Sequence, residues 1–254
     1  MNRYAHYPSL RDKHVFISGG TTGIGADLVA GFARQAAKVT FVGRNAQAAA
    51  ALLDSLSGAS CPPVFIECDI TDVAALQAAI AEGQSRHGPC HALVNNAAND
   101  QRHKTLELSV AGWDEAIAVN LRHQFFAAQA VIPGMRLLGG GSIINLSSTS
   151  WKIKVPDYPA YATCKAAIHG LTRSLAREFG ADRIRVNTLT PGWVMTDKQK
   201  RLWVDASGLA ERDRNQCLPG DLLSADITRC ALFLAADDSR MCSAQEFVVD
   251  GGWT

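Results

Sequence analysis

A chain of 254 residues with 47% hydrophobic and 19% charged side chains can close one well-packed domain and shows no compositional mark of disorder. Its formal net charge of +1 offers no broad field for nucleic acid or an acidic membrane, and no run of apolar residues would span a bilayer. Seven cysteines without Cys-x-x-Cys spacing speak against a disulfide framework or a zinc site, and the start lacks an apolar leader core, so a cytoplasmic protein without bound metal is expected.

The first predicted element is the apolar run after His14, Val-Phe-Ile-Ser, followed by Gly19-Gly20-Thr21-Thr22-Gly23-Ile24-Gly25 and a helical pattern at Leu28, Val29, Phe32 and Ala33. Strand, glycine turn and helix suit a dinucleotide-binding loop, because glycines admit a pyrophosphate to the backbone and the helix start presents free N–H groups. A plain strand-to-helix turn is the alternative. The next strand, Lys38 to Gly43, ends in Gly43-Arg44-Asn45. A carboxylate there would hold an adenosine 2′-hydroxyl and an arginine a 2′-phosphate, so Arg44 favours NADP over NAD. A solvated Arg44, with NAD held through Asn45 and backbone, is the competing possibility.

An alanine-rich helix then leads to a strand from Val64 to Cys68 ending at Asp69-Ile70, a helix from Asp72 to Arg86, and a strand that stops at Asn95-Asn96-Ala97-Ala98. A helix from Trp113 to Met135 carries Asn120, and a strand from Ser142 to Leu146 ends at Ser147-Ser148. A sixth strand, Ile184 to Leu189, runs into Pro191-Gly192-Trp193-Val194-Met195-Thr196, and a seventh includes Glu246 to Val249. This alternation predicts an α/β fold, a single doubly wound Rossmann domain with about seven mainly parallel strands covered on both faces. Residues 195–220 are polar and charged, and read either as a lid over substrate or as a surface helix pair.

The helix from Asp157 to Glu178 carries Tyr161 and Lys165, four residues apart and therefore on one face. A nearby ammonium favours a phenolate, which turns tyrosine into a usable base.

These landmarks resemble, in order and over nearly the whole chain, the short-chain dehydrogenase/reductase family. Ser18 to Gly25 stands for its glycine loop, Asn95 to Ala98 for its Asn-Asn-Ala-Gly, Asn120 for the asparagine of its tetrad, and Pro191-Gly192 for its Pro-Gly turn. Ser148 and Tyr161 keep the family's serine-to-tyrosine interval. Ala98 and Ser18 depart from the pattern and bear on loop geometry. The resemblance implies a catalytic set of Asn120, Ser148, Tyr161 and Lys165. Tyr161 would exchange a proton with the reacting oxygen and Lys165 would lower its pKa and hold the nicotinamide ribose. Ser148 would hold the substrate oxygen, and Asn120 would anchor a water that lets the proton leave. The cofactor would lie on Gly19, Thr21, Thr22, Gly23 and Ile24, with Asp69 and Ile70 at adenine, Asn95 at the adjacent ribose, and Val194 with Thr196 at the carboxamide.

The runs Asn95 to Lys104, Asn120-Leu121-Arg122-His123, Ser150-Trp151, Gln216-Cys217-Leu218 and Asp250-Gly251-Gly252-Trp253 also resemble the bacterial short-chain aldose 1-dehydrogenases, those acting on D-xylose included. That likeness implies oxidation of the anomeric hydroxyl of a small-molecule sugar to a lactone, by a homotetramer or dimer. Asn99, Asp100, Arg102, Trp151, Tyr158 and Trp193 would then offer the planar polar groups and aromatic faces that bind polyols. His103 and His123 read as hydrogen-bonded structural histidines. A carbonyl reductase for 3-oxoacyl carriers, with Lys152, Lys154, Lys198, Lys200 and Arg201 as a basic rim, is the alternative enzyme. A catalytically idle nicotinamide sensor is the alternative of another class.

Overall fold

The computed structural model describes residues 4–254; the first three, part of the stretch read for a leader, lie outside the described residues. Its strands are β1 (His14–Ser18), β2 (Lys38–Gly43), β3 (Val64–Glu67), β4 (Ala92–Asn95), β5 (Gly141–Leu146), β6 (Ile184–Pro191) and β7 (Glu246–Val249). They form one sheet in the order β3-β2-β1-β4-β5-β6-β7, parallel throughout. The order changes direction between β1 and β4, which opens a crevice at the carboxyl ends of those strands.

The helices are α1 (Gly23–Arg34), α2 (Ala46–Ser55), α3 (Val73–His87), α4 (Val110–Ile117), α5 (His123–Leu137), α6 (Pro159–Phe179), α7 (Asp197–Leu202), α8 (Ala206–Asn215) and α9 (Ser224–Ala235). Alternation along β1 sends Val15 and Ile17 into the layer with α1 and α9, and Phe16 into the layer with α3, α5 and α6. Because both faces are covered, β1 and β4 are buried at every position, with apolar interiors and polar residues only at their ends. Each fully buried Val, Ile or Phe contributes about 1.5–3 kcal/mol of transfer free energy.

Local chemistry sets the helix ends. Asn45, Asp72 and Ser109 cap α2, α3 and α4 by accepting from Ala48, Ala75 and Gly112 backbone N–H groups. Gly88, at φ 81°, ends α3 in a conformation that favours glycine.

The helix expected from Trp113 to Met135 is not one regular helix. A π-helical turn, Ala118–Arg122, separates α4 from α5 and holds Asn120. The Ala116 carbonyl accepts from Asn120 Nδ2 at 3.1 Å and from Cys164 Sγ at 3.6 Å. The 195–220 segment contains the two short helices α7 and α8, so it is a helix pair, and their side chains roof the crevice.

Beneath the crevice the strands are joined by buried polar side chains. Ser18 Oγ accepts from the backbone of Asn96 and Ala97, Asn95 Nδ2 donates to Asn145 Oδ1, and Asn145 Nδ2 donates to Thr172 of α6. Hydrogen bonds of this kind fix one register among the strands.

At the opposite end of the sheet His14 is fully buried, with Nδ1 2.8 Å from the Gly88 carbonyl and Nε2 3.0 Å from Thr40 Oγ1. Burial pushes its pKa down to about 4. The unfolded chain takes up this proton first as pH falls from about 6.5, so stability declines through that window, by up to about 3 kcal/mol. Urea unfolding of His14→Gln should show a shallower loss of stability between pH 7 and 4.5 than the parent, and an equal slope would contradict the assignment.

Candidate active site

Pro159 starts α6 at a position where its missing N–H costs nothing, and the first turn then delivers Tyr161 with Lys165 one turn later. Lys165 is buried; its Nζ donates to the Leu146 carbonyl at 2.9 Å and lies 5.5 Å from the Tyr161 ring centroid. Ser148 follows β5, accepts from Ser150 N at 3.1 Å and lines the crevice with Tyr161, whose phenol it favours in the charged form. Serine, tyrosine and lysine therefore meet as the sequence predicts. Asn120 is buried nearby, but both ends of its amide are committed, Oδ1 to Asn99 N at 2.9 Å and Nδ2 to Ala116.

Burial governs the charge states. It pushes the Tyr161 phenol up, an effect reinforced by the Asp100 carboxylate and opposed by the Ser148 hydrogen bond. It brings the Lys165 ammonium down to about 8, against the pull of Cys164 and Asp100. The expected lowering of the phenol is thus not the net effect in the protein alone, where the loss of water around Tyr161 is the largest influence.

The glycine loop fits a dinucleotide. Gly19 has φ 68°, and a Cβ there would stand 2.8 Å from Ala97 Cα. Asn96 Nδ2 locks the turn by donating to the Ser18 and Gly19 carbonyls. Unlike α2, α3 and α4, helix α1 has no side-chain cap, and its first turn carries no acid, so its N–H groups are left for an anion such as a pyrophosphate. Thr21 packs where a Cβ on Gly43 would fall, 2.7 Å from its Cγ2, which joins the loop to the end of β2. Arg44 is largely exposed there, Nη1 3.6 Å from Asp69 Oδ2, while Asp69 accepts from Thr71 N and Oγ1. Ile70 is buried in the layer beneath α3.

Ile24, Pro191, Gly192, Val194 and Thr196 line the crevice beside Ser148 and Tyr161. Thr196 also caps α7 and packs against Gly23, where a Cβ would meet its Cγ2 at 3.3 Å. Asn95 requires correction. It is fully buried between β4, β5 and α5, its Nδ2 spent on Asn145 and the Gln124 carbonyl, and cannot reach a ribose; Asn96 is the residue that lines the crevice.

The same crevice, about 540 Å³ in all, is walled beyond Tyr161 by Asp100, Arg102, Tyr158, Trp193 and Trp203. Asp100 does not present a free carboxylate: it binds Lys198 and Gln199 of α7, and Gln199 in turn accepts from Trp193 Nε1 at 3.0 Å. Two expected sugar contacts fall elsewhere. Trp151 packs edge-on against His169, with ring centroids 5.1 Å apart, outside the cleft lining, and Asn99 lines a separate small cavity. Gln199 and Trp203 went unrecognised in sequence; Trp203, a large aromatic within a charged segment, was the available signal.

The buried ammonium has a measurable cost. Lys165 is depressed from 10.5 to about 8, so its charge penalty, about 3 kcal/mol, is fully present below pH 8 and fades as pH rises towards 10.5. In guanidinium unfolding without cofactor, Lys165→Met should equal or exceed the parent's stability at pH 7, with the difference shrinking above pH 8. A variant clearly less stable at pH 7 would overturn this.

Residues 19–254 match the family model described as enoyl-(acyl carrier protein) reductase. The chain is 46% identical to the D-xylose 1-dehydrogenase of Caulobacter vibrioides over 98% of each chain. It is 44% identical to a Rhizobium meliloti protein named probable galactose dehydrogenase, over 98% of this chain and 97% of that one. Among solved structures, a short-chain type dehydrogenase/reductase from Mycobacterium ulcerans shares 26% identity with a TM-score of 0.92, covering 96% of this chain and 90% of that one. Glycine loop, seven-stranded parallel sheet and the serine, tyrosine and lysine group agree with these likenesses, and the chain belongs to the short-chain dehydrogenase/reductase family of nicotinamide-dependent oxidoreductases.

Proposed function

We propose that this enzyme oxidises the anomeric hydroxyl of an aldose, a pentose or hexose such as xylose, arabinose or galactose, to the lactone, using NADP in preference to NAD. The observation that carries this reading is the cleft before Ser148 and Tyr161, where aromatic faces alternate with hydrogen-bonding groups and charges balance. Asp100, Asp205 and Glu211 line it against Arg102, Lys154 and Lys165. A balanced, polar and aromatic wall suits a neutral polyol better than an acidic carrier group. The named sugar dehydrogenases among the relatives support the same substrate class.

In this mechanism the Tyr161 oxygen accepts the proton of the C1 hydroxyl, and Ser148 donates to the reacting oxygen and keeps it in line with the phenol. Lys165, anchored on Leu146, supplies the positive charge that favours the phenolate and would hold the nicotinamide ribose. Gly19, Thr21, Thr22, Gly23 and Ile24 would hold the pyrophosphate side of the nucleotide, and Pro191, Gly192, Val194 and Thr196 the nicotinamide side. The bound nucleotide supplies the hydride acceptor at nicotinamide C4. Trp193 and Tyr158 border the sugar, while Asp100 serves it indirectly by fastening α7. Leu106, Val110, Trp113 and Phe125 are exposed apolar side chains along 105–137, the surface by which copies would assemble into a tetramer or dimer.

The reductase reading loses part of its basic rim, since Lys152 is paired with Glu246 and Lys198 with Asp100. A panel of aldoses followed by nicotinamide absorbance, beside a 3-oxoacyl thioester in reverse, separates the two. Aldose turnover is expected, with Tyr161→Phe lowering kcat at least ~100-fold at little change in cofactor affinity; turnover of the thioester alone would end the sugar reading. The exposed guanidinium of Arg44 predicts that Arg44→Asp shifts the kcat/KM ratio from NADP towards NAD by at least tenfold (about 1.4 kcal/mol). An unchanged ratio would remove Arg44 from the phosphate site.

A further inference from the structure

The turn Asp250-Gly251-Gly252-Trp253 follows β7 and is bound to the chain that leaves α8. Gly251 and Gly252 stand at φ 71° and 84°, and Cβ atoms there would fall 2.5 Å from Gln216 Cδ and 2.9 Å from Cys217 Cβ. The buried Asp250 carboxylate accepts from Gly252 N at 2.7 Å and from Thr254 N and Oγ1 at 2.9 and 3.0 Å. Leu218 N donates to the Gly251 carbonyl at 2.9 Å, and Cys217 Sγ to that of Gly252 at 3.1 Å. Trp253, half-buried, is fixed by these bonds where it lines the crevice.

The other aromatic rings that line the crevice are engaged. Trp193 donates its Nε1 hydrogen to Gln199, and its Cη2 lies 2.8 Å from where a Gly208 Cβ would stand, so that edge rests on α8. Trp203 is covered by the Arg102 guanidinium, 4.1 Å from its centroid. Tyr158 and Tyr161 pack against one another with centroids 5.4 Å apart. Trp253 alone of these has no ring, cation or hydrogen-bond partner among the described residues. A large indole on a fixed backbone turn, left bare at a polar crevice, suits a ligand that is apolar on one face and hydroxylated at its edge. A sugar ring whose hydroxyls project sideways and whose C–H bonds project from the face has that form.

We propose that Trp253 is the stacking platform of the substrate site, its indole receiving the C–H face of the aldose ring while C1 meets Tyr161 and Ser148. The contact is made through substrate carbons that do not react. It therefore binds ground state and transition state alike, and sets affinity rather than the rate of hydride transfer. Because the contact needs a closed ring, the turn selects cyclic aldoses over open-chain polyols and acyl ketones. This deepens the sugar reading and rests on it.

The test measures aldose kinetics for the parent, Trp253→Leu and Trp253→Phe; leucine fills much of the space without a planar face, and phenylalanine restores one. Trp253→Leu should raise the KM of the best aldose about tenfold at unchanged kcat, and Trp253→Phe should stay within about threefold of the parent. NADPH affinity, read from nicotinamide fluorescence, should be the same in all three. A leucine variant with the parent's KM, leucine and phenylalanine variants impaired alike, or a loss carried in kcat or in NADPH affinity would overturn the platform and leave the sugar reading standing. A parent that oxidises no aldose would end both.

Discussion

The site depends on a charged amine kept out of water. Lys165 is buried, and its Nζ bond to the Leu146 carbonyl secures it where β5 ends and the Ser148 loop begins. An ammonium in such surroundings exerts a stronger field than it would in solvent, and the fold bears the desolvation. Serine and lysine are thereby referred to one strand end, and tyrosine to the helix crossing it. Relative motion of these three groups would need β5 and α6 to slide, which the Asn145 to Thr172 bond resists.

That arrangement explains why so much polarity lies below the crevice. Ser18, Asn95, Asn145 and Thr188 occupy paired positions on β1, β4, β5 and β6, and their side chains bond sideways or to helix α6. In a sheet covered by helices, apolar side chains fill space without specifying register closely. Hydrogen-bonded ones at the strand ends do specify it, and so the edge bearing Ser148, Asn96 and the glycine loop is held to one geometry.

Much of this was legible in the sequence because it rests on local patterns. Period and turn residues marked the strands; glycine spacing marked the phosphate cradle; the four-residue step from Tyr161 to Lys165 needed only a helix to become a contact. What was not legible depended on tertiary placement. Asn95 and Asn96 are adjacent and chemically identical, and only strand alternation decides which is buried. Trp151 looked like a sugar platform until a short helical turn directed it to His169. The break in the long helix is a π-helical turn at 118–122, where a side-chain amide also meets a carbonyl one turn earlier, and apolar periodicity marks neither. The net rise of the Tyr161 pKa is a sum over surroundings that no motif records.

The fastening of α7 by Asp100 rests on contacts of modest strength. The Lys198 to Asp100 pair is partly solvated, with side chains 47% and 27% exposed, and pairs of this kind contribute at most about 1 kcal/mol. Arg102, lying 4.1 Å from the Trp203 ring centroid, adds a second contact of similar size beside α7. With the Gln199 bonds to Asp100 and Trp193, they fasten α7, a helix that buries none of its residues, to the wall of the crevice. Segments with so little buried apolar surface stand at the low end of local stability, so the roof of the crevice is its least rigid wall.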